Sequence, residues 1–191
     1  MDNKKYKLIV FDFDGTLVDS FTDIGLSVNH ALSVLGFPEL PLEEYKNLVG
    51  HGMRNLCASA LPDGARDKTD ELIKIYNGYY LEHCLDHARA FDWVMPRLKR
   101  IKESGAATAV LSNKPDHQLK RMASHVFKGE YFDLVQGQLE GIPIKPAPDA
   151  LNIIIDKFGV SKSEVLYVGD MEVDRALAEN AGVDFEMVHN Y

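Results

Sequence analysis

Two aspartates end a short apolar run near the start of the chain. The run Leu8–Phe11 is rich in β-branched and aromatic side chains, which predicts a buried strand. Asp12 and Asp14 follow it, and because residues two apart in an extended backbone point to the same side, their carboxylates would converge. Such a pair repels unless a cation or a shared proton compensates. With Gly15 to turn the chain and the Thr16 hydroxyl nearby, this strand end has the layout of a reactive site, although an acidic turn is the simpler alternative.

Length, composition and charge limit the class of protein. With 191 residues and 46% hydrophobic content, the chain can form one sizeable core with a smaller insert. The net charge of −8 offers no basic face, so neither nucleic acid nor a membrane is expected as a partner. No apolar run reaches the length of a membrane span, and no signal-peptide pattern precedes the first strand. Cys57 and Cys84 lack the spacing of a metal or redox motif, so we predict a reduced, cytoplasmic protein.

A long helical stretch follows the first strand. Helical patterns occupy about 22–35, 42–49, 53–61 and 67–86, and no strand pattern interrupts them. We therefore predict an α/β core in two pieces, residues 1–19 and 88–191, with an α-helical domain at 20–87 inserted after the first strand. An insert that leaves the core beside the two aspartates would cover them as a lid, exclude water and select the substrate.

The rest of the chain alternates helices with apolar strands. Strands are predicted at 106–111, 131–135, 164–168 and 183–188, and helices at 95–104, 116–127, 147–158 and 172–181. Three of the helices end in a glycine and are each followed by an apolar strand. Repeated units of this kind predict a Rossmann-like parallel sheet flanked by helices, whose ligands bind at the carboxyl ends of the strands.

Further polar residues stand where these strands end. Ser112 and Asn113 follow the second strand just before a helix, where a hydroxyl and N–H groups can hold an anion. Lys145 precedes a helix start, Asp170 follows the fourth strand, and Asp174 lies one helical turn further on. Each has an ordinary alternative, namely a capped turn or a solvated lysine. Together with the first two aspartates, however, they would collect at one edge of one sheet.

The order of these motifs resembles the four signatures of the haloacid dehalogenase superfamily. The matching stretches are, in chain order, Asp12-Phe13-Asp14-Gly15-Thr16, Ser112-Asn113, Lys145-Pro146, and Gly169-Asp170 with Asp174. Segments 137–143 and 167–170 are most similar to the phosphoglycolate phosphatase-like branch. The resemblance spans nearly the whole chain and implies a helical cap on the α/β core.

The resemblance also implies a Mg²⁺-dependent phosphatase that works through an aspartyl-phosphate. Asp12 would be the nucleophile, and Asp14 would protonate the leaving oxygen and then activate water. A cation is needed because carboxylates alone would repel an anionic phosphomonoester. By the resemblance, its ligands would be Asp12, Asp170 and the backbone carbonyl of Asp14. Lys145 would be the third catalytic residue, and Asp174 would orient Lys145 or a metal-bound water.

Phosphate and substrate binding are assigned by the same resemblance. Ser112, Asn113, Lys145 and Thr16 would hold the phosphoryl oxygens of a small phosphorylated metabolite. In this family the cap commonly contacts the part of the substrate that is farthest from the phosphate, here called its far end. The candidate residues for that contact are His51, Gly52 and Arg54. A helix-to-helix turn with surface polar groups is the simpler interpretation of those three residues.

Some alternatives stay open at this point. A phosphomutase or pyrophosphatase would use the same residues, and a fold does not guarantee catalysis, so a non-catalytic binding protein is a further possibility. At 90–93 the chain lacks the Pro-aromatic-Pro-Gly turn usual in related sequences, from which we expect a less rigid hinge. The chain stops soon after its last strand, where relatives usually continue, and the alternatives are a naturally short protein, a truncated one and one completed by a partner. Whether the protein is a monomer or a homodimer is not readable from the sequence.

Overall fold

A parallel β-sheet forms the core of the computed structural model, which describes residues 6–128 and 131–190. The strands are β1 (Leu8–Phe11), β2 (Val18–Asp19), β3 (Arg89–Ala90), β4 (Ala107–Pro115), β5 (Leu134–Gln138), β6 (Val165–Gly169) and β7 (Asp184–Met187). Five of them pair in the order β5-β4-β1-β6-β7, and every neighbouring pair is parallel. The predicted Rossmann-like α/β fold is confirmed.

Helices pack on both faces of this sheet. The α-helices of the described residues are α1 (Phe21–Val34), α2 (Tyr45–Leu48), α3 (Met53–Ala60), α4 (Thr69–His83), α5 (Val94–Ser104), α6 (Asp116–Phe127), α7 (Asp149–Phe158) and α8 (Glu172–Ala181). Of these, α5 and α6 lie on one face of the sheet, and α7 and α8 lie on the other. None of the helices in residues 6–128 and 131–190 combines the length and the hydropathy needed to cross a membrane.

The side chains on the two faces of β1 belong to two separate hydrophobic cores. Side chains alternate along a strand, so Leu8 and Val10 point to one face and Ile9 and Phe11 to the other. Leu8 and Val10 pack with apolar residues of α7 and α8, such as Leu151. Ile9 and Phe11 pack in a larger cluster that includes α5, α6 and the helices before β3. All four side chains of β1 are fully buried, which explains the continuous apolar run.

The stretch 20–87, which we call the helical segment, contains α1 to α4. The antiparallel pair of β2 and β3 lies where the chain leaves and re-enters the sheet region. The buried Asp23 carboxylate accepts hydrogen bonds from the backbone N–H of His87 at 3.0 Å and of Ala88 at 2.9 Å. One carboxylate of α1 therefore fixes the point at which the chain returns.

Several predicted boundaries shift. The 106–111 strand extends to Pro115, with an irregular register after Leu111, so Ser112 and Asn113 lie on β4 and not in a loop. The 131–135 strand is found at 134–138, because the Tyr131 carbonyl and the Asp133 carboxylate instead accept hydrogen bonds from Thr108. The helix predicted from 147 begins at 149. Residues 1–5 and Tyr191, which the predicted core included, lie outside the described residues.

The last described residue braces the turn at 90–93. Asn190 accepts a hydrogen bond from the indole N–H of Trp93 at 2.8 Å. Its amide nitrogen donates to the carbonyls of Gly15 at 2.8 Å and Thr16 at 3.2 Å. Asn190 thereby ties the turn before α5 to the loop that follows the two aspartates.

Candidate active site

Three aspartates converge where β1 and β6 end. The two strands pair in register, and the backbone N–H of Asp12 donates to the carbonyl of Val168 at 2.9 Å, so Asp12 and Asp170 emerge side by side. Asp174 faces them from the first turn of α8. One carboxylate oxygen from each lies within 4.8 Å of the other two. The sheet therefore presents an acidic cluster at the carboxyl ends of its strands, as the sequence predicts.

Lys145 is buried against this cluster. Its Nζ lies 2.8 Å from Asp12 Oδ1 and donates a hydrogen bond to Asp174 Oδ1 at 2.7 Å. The Tyr167 hydroxyl lies 3.3 Å from the same nitrogen. The Lys145 side chain is only 2% exposed, so this ammonium is an internal counter-ion and not a solvated lysine.

Asp174 has two structural tasks at once. Its Oδ1 binds Lys145, and its Oδ2 accepts the backbone N–H of Met171 at 3.1 Å at the start of α8. Gly169 makes this possible, since a Cβ at that position would overlap the Asp174 side chain. The carboxylate is fully buried, so its contacts fix its orientation.

Burial and mutual repulsion perturb these groups. Burial raises the pKa of the Asp12 carboxyl to about 7, opposed by Lys145 and reinforced by Asp174 and Asp170. Burial likewise raises the pKa of Asp170 to about 6, although the hydrogen bond from Thr16 opposes the rise. Burial alone would lower the pKa of Lys145, but the carboxylates of Asp12 and Asp174 raise it well above its usual range. The ammonium therefore stays charged at neutral pH.

Asp14 lies apart from the acidic cluster and has its own cation. Both of its carboxylate oxygens accept hydrogen bonds from Lys114 Nζ at 3.1 Å, and the Ser20 hydroxyl donates to Oδ1 at 2.5 Å. The side chains of Lys114 and Asp14 are 4% and 9% exposed. The two motif aspartates thus lie in different environments, one paired with Lys145 and the other with Lys114.

The turn after Asp14 shapes the site through Gly15 and Thr16. Gly15 has φ +82°, and a Cβ there would overlap the Asp170 carboxylate. Thr16, predicted to bind phosphate, donates its hydroxyl to Asp170 Oδ1 at 2.5 Å. In this structure its side chain therefore orients an acidic residue.

Ser112 and Asn113 lie on β4 beside the two aspartates. The Ser112 hydroxyl accepts the backbone N–H of Lys114 at 3.3 Å. The Asn113 amide donates to the carbonyls of Gly50 at 2.9 Å and Lys145 at 3.1 Å, and its Oδ1 accepts the Lys145 N–H at 2.8 Å. The Asn113 side chain thus holds Lys145 in place and bonds the helical segment to the sheet.

A cavity lies between the carboxyl edge of the sheet and the helical segment. Its sheet side is lined by Asp12, Asp14, Ser112, Asn113, Lys114, Pro115, Gln118 and Lys145. Its other side is lined by Ile24, Val49, Gly50, Gly52, Met53, Leu56 and Tyr76. Of the three residues proposed to read the substrate's far end, only Gly52 lines this cavity. Arg54 instead pairs with Asp70 at 2.5 Å in solvent, and the His51 side chain is exposed.

The acidic cluster fits a divalent cation. It offers carboxylate oxygens from three residues, and oxygen ligands of this kind suit Mg²⁺. At this edge four carboxylates face two ammonium groups, which leaves two formal negative charges for a cation to balance. The structure adds the Asp174 carboxylate to those of Asp12 and Asp170. The Asp14 carboxylate binds Lys114, so a ligand role for Asp14 would fall to its backbone carbonyl, as predicted.

Lys114, Gln118 and Ser20 are site residues that sequence reasoning did not single out. Lys114 is two residues beyond Ser112 on a strand, which is the spacing that places two side chains on one face. Gln118 lies in the first turn of α6, directly after β4, and its Oε1 is buried without a hydrogen-bond partner in the described structure. Ser20 carried no signal beyond its position as a helix cap.

Comparison with known proteins identifies the family. A model of the haloacid dehalogenase-like hydrolases matches residues 9–188. The phosphoglycolate phosphatase of Haemophilus influenzae is 34% identical over 189 residues, which cover 94% of this chain and 84% of that protein. The phosphoglycolate phosphatase of Aquifex aeolicus is 30% identical over 176 residues, covering 92% of this chain and 81% of that protein.

Solved structures give the same result. A predicted phosphoglycolate phosphatase from Haemophilus somnus superposes with a TM-score of 0.85 at 28% identity, covering 95% of this chain and 84% of that one. A haloacid dehalogenase-superfamily hydrolase from Geobacter sulfurreducens superposes with a TM-score of 0.73 at 25% identity, covering 95% and 86%.

The fold and the acidic strand ends define a hydrolase of the α/β class. The chain belongs to the haloacid dehalogenase-like hydrolases. The predicted resemblance to the phosphoglycolate phosphatase-like branch is confirmed, and the chain is a phosphatase.

Proposed function

We propose that the protein hydrolyses a small phosphomonoester of the phosphoglycolate type with Mg²⁺, through a phosphorylated Asp12. The observation that carries this proposal is the buried Asp12 carboxylate, which lines the cavity and lies 2.8 Å from Lys145 within a three-carboxylate cluster. The names of the relatives support the substrate class.

Asp12 is the proposed nucleophile because it combines access with a fixed position. An Asp12 oxygen attacks phosphorus, the bond to the leaving oxygen breaks, and water later attacks phosphorus to release inorganic phosphate and the free carboxylate. Lys145 and the Ser112 hydroxyl are placed to bind the phosphoryl oxygens as charge develops on them. Asn113 acts on Lys145 through its backbone.

Asp14 is the proposed proton donor to the leaving oxygen and the base for the attacking water. It lines the same cavity as Asp12 but pairs with a different lysine. Two carboxylates in different environments can divide the nucleophilic and acid–base roles.

Asp12, Asp170 and Asp174, together with the Asp14 carbonyl, would hold Mg²⁺. When bound, the ion supplies positive charge that offsets repulsion between the carboxylates and the anionic substrate. Thr16 would keep the Asp170 carboxylate in the orientation that binding requires.

The helical segment is the proposed cap, with the boundaries 20–87 given by the sequence. It covers the carboxyl edge of the sheet with apolar side chains, and the cavity volume is about 40 Å³. A space of this size admits only a few water-sized groups, so the segment favours small substrates or opens to admit larger ones. Cys57 and Cys84 are both buried and free, which agrees with the proposed cytoplasmic location.

Phosphate release tests the proposal. The panel is phosphoglycolate, sugar phosphates, pyrophosphate and an aryl phosphate, each with Mg²⁺ and with excess chelator. We expect the wild type to release phosphate from phosphoglycolate when Mg²⁺ is present and not in excess chelator. Asp12→Asn should release none. Asp63→Asn, which alters an exposed aspartate between α3 and α4, is the control and should release phosphate like the wild type. Full activity in chelator or in Asp12→Asn would contradict it, and a preference for pyrophosphate would reassign the substrate.

A further inference from the structure

Lys114 is a buried lysine whose place in the site invites a second role. Among the described residues, its Nζ donates hydrogen bonds to the two oxygens of Asp14, both at 3.1 Å. The Tyr80 ring lies on another side, 4.9 Å from the nitrogen to the ring centroid. An ammonium carries three protons, so one remains for a further acceptor. Lys114 also lines the cavity that Asp12 lines.

The remaining cavity walls offer little to a second anion on a substrate. Among the described lining residues the basic side chains are Lys114 and Lys145, and Lys145 already binds Asp12 and Asp174. The helical segment contributes mainly apolar side chains, such as those of Val49 and Leu56. A substrate acid at the far end from the phosphate therefore has one suitable cation, the ammonium of Lys114.

Gln118 shows that the cavity lined by Lys114 holds a further polar group with a hydrogen bond left unfilled by the described residues. Its side chain lines the cavity, the residue is 5% exposed, and Oε1 lacks a partner in the described structure. Its Nε2 donates to Asn77 Oδ1 on α4 at 2.9 Å, which holds the amide across the cavity. A buried acceptor without a partner is costly, so a water or another hydrogen-bond donor is expected beside this oxygen; a substrate carboxylate only accepts, and its bond would come from Lys114.

The spacing also suits a short molecule. Ser112 and Lys114 are two residues apart on β4, about 7 Å along an extended strand. A phosphoryl group at Ser112 and an acid at Lys114 would then be separated by only a few bonds.

We propose that Lys114 is a specificity-determining residue, whose ammonium binds the carboxylate at the far end of a short phosphorylated acid. The inference rests on the proposed phosphatase function and names the substrate group that the site selects. Lys114 thus takes the place of His51 and Arg54 as the proposed contact to the far end of the substrate, because their side chains do not line the cavity.

The first experiment compares two substrates of similar length, phosphoglycolate and 2-hydroxyethyl phosphate, by kcat/KM. Lys114→Met keeps the side-chain stem and removes the charge, so we expect kcat/KM for phosphoglycolate to fall about 10- to 100-fold more than for 2-hydroxyethyl phosphate. Lys114→Arg keeps the charge and should keep most of the preference. Lys120→Met, on the exposed face of α6, is the matched control and should change neither substrate.

A second experiment covers the case in which Lys114→Met fails to fold. In the non-hydrolysing Asp12→Asn background, adding Asp14→Asn frees Lys114 from its carboxylate partner. Calorimetry should then show a gain in affinity for phosphoglycolate about 5- to 10-fold larger than for 2-hydroxyethyl phosphate.

The outcomes separate the two proposals. An unchanged substrate ratio in folded Lys114→Met, or equal gains for both ligands in the Asp14→Asn background, overturns the role of Lys114 while leaving the phosphatase intact. Hydrolysis of 2-hydroxyethyl phosphate but not of phosphoglycolate by the wild type also overturns it. If the wild type hydrolyses neither compound nor any other phosphomonoester, the proposed function itself fails.

Discussion

Replacing Lys145 with Met removes the counter-ion of the acidic cluster while keeping an apolar stem. In the wild type this ammonium lies 2.8 Å from Asp12 and 2.7 Å from Asp174, and all three side chains are at most 4% exposed. The substitution therefore leaves two buried carboxylates without their shared cation. Removal of one partner of a buried ion pair costs about 3–5 kcal/mol of the free energy of unfolding.

The size of the effect can be worked through to a melting temperature. In a chain of this length, each kcal/mol lowers the melting temperature by about 2–4 °C, so Lys145→Met should melt about 6–20 °C lower in chelator. Mg²⁺ should recover part of the loss, because an ion bound to the same carboxylates replaces the missing charge and stabilises the native state by mass action. Phosphate release should be abolished under both conditions.

The deficit should also depend on pH. The pKa of Asp12 is about 7 in the wild type, far above the unfolded value, so the folded state holds a proton below pH 7 that the unfolded chain has lost. Loss of Lys145 raises this pKa further. The free energy of unfolding of the variant therefore falls by about 1.4 kcal/mol per pH unit over a wider pH range than that of the wild type. Its deficit relative to wild type should be about 1 kcal/mol larger at pH 8 than at pH 6.

Chemical denaturation in chelator at both pH values measures these differences, with Lys157→Met on the exposed face of α7 as the matched control. The control should remain within about 0.5 kcal/mol of the wild type. A deficit in Lys145→Met below about 1 kcal/mol, with no dependence on pH, would refute the view that this lysine neutralises the cluster.

Three further perturbations address the glycine, the C-terminal brace and the metal ligands. Gly169→Ala places a Cβ against Asp174, so a loss of about 2 kcal/mol or more and a severe loss of phosphate release are expected; near-wild-type values in both assays would be inconsistent with the close approach. Asn190→Ala removes the hydrogen bonds to Trp93 and to the loop after Asp14, so amide exchange at 15–16 and 93 should accelerate with a loss of about 1–3 kcal/mol, and unchanged exchange would argue against the brace. Asp170→Asn should no longer gain thermal stability from added Mg²⁺ while the wild type does, and an equal gain in both proteins would remove this residue from the ligand set.

The topology and the acidic edge were predictable because they follow from repeated local patterns. The apolar run Leu8–Phe11, the helices that end in glycine and the strands after them specify a parallel sheet with little ambiguity. In such a sheet all strand ends point the same way. Asp12 and Asp170 had to meet once β1 and β6 paired, and no side-chain detail was needed to predict it.

The pairing within the site was not predictable in the same way. The sequence shows Lys114 beside Ser112 but does not tell whether that lysine reaches solvent or turns toward Asp14, because this depends on how α4 and α6 pack. Thr16 is equally ambiguous, since a hydroxyl can bind a phosphate or a neighbouring carboxylate. Arg54 has a suitable charge for substrate binding, yet its helix orientation directs it to Asp70 in solvent.

The predicted strand boundaries were wrong where side chains compete for the backbone hydrogen bonds between neighbouring strands. Thr108 draws Tyr131 and Asp133 into hydrogen bonds before β5 begins, and the strand starts later than its apolar pattern predicts. β4 instead continues past its apolar run through Ser112 and Asn113, and Pro115 pairs with Gln138 after an irregular register. Polar residues at a functional edge are held by tertiary contacts that a local pattern does not contain.

Acid quenching during turnover with Mg²⁺ of phosphoglycolate that is radiolabelled in its phosphate group would show whether the phosphoryl group becomes covalently bound to the protein. Our account predicts a transient label in the wild-type protein, mapped to the peptide that contains Asp12, and no label in Asp12→Asn. With an aryl phosphate, whose leaving group needs no proton, Asp14→Asn should accumulate more label than the wild type, because the water that hydrolyses the intermediate loses its base. Rapid turnover by the wild type without any protein-bound label, or a label that persists in Asp12→Asn, would contradict the assignment of Asp12 as the nucleophile.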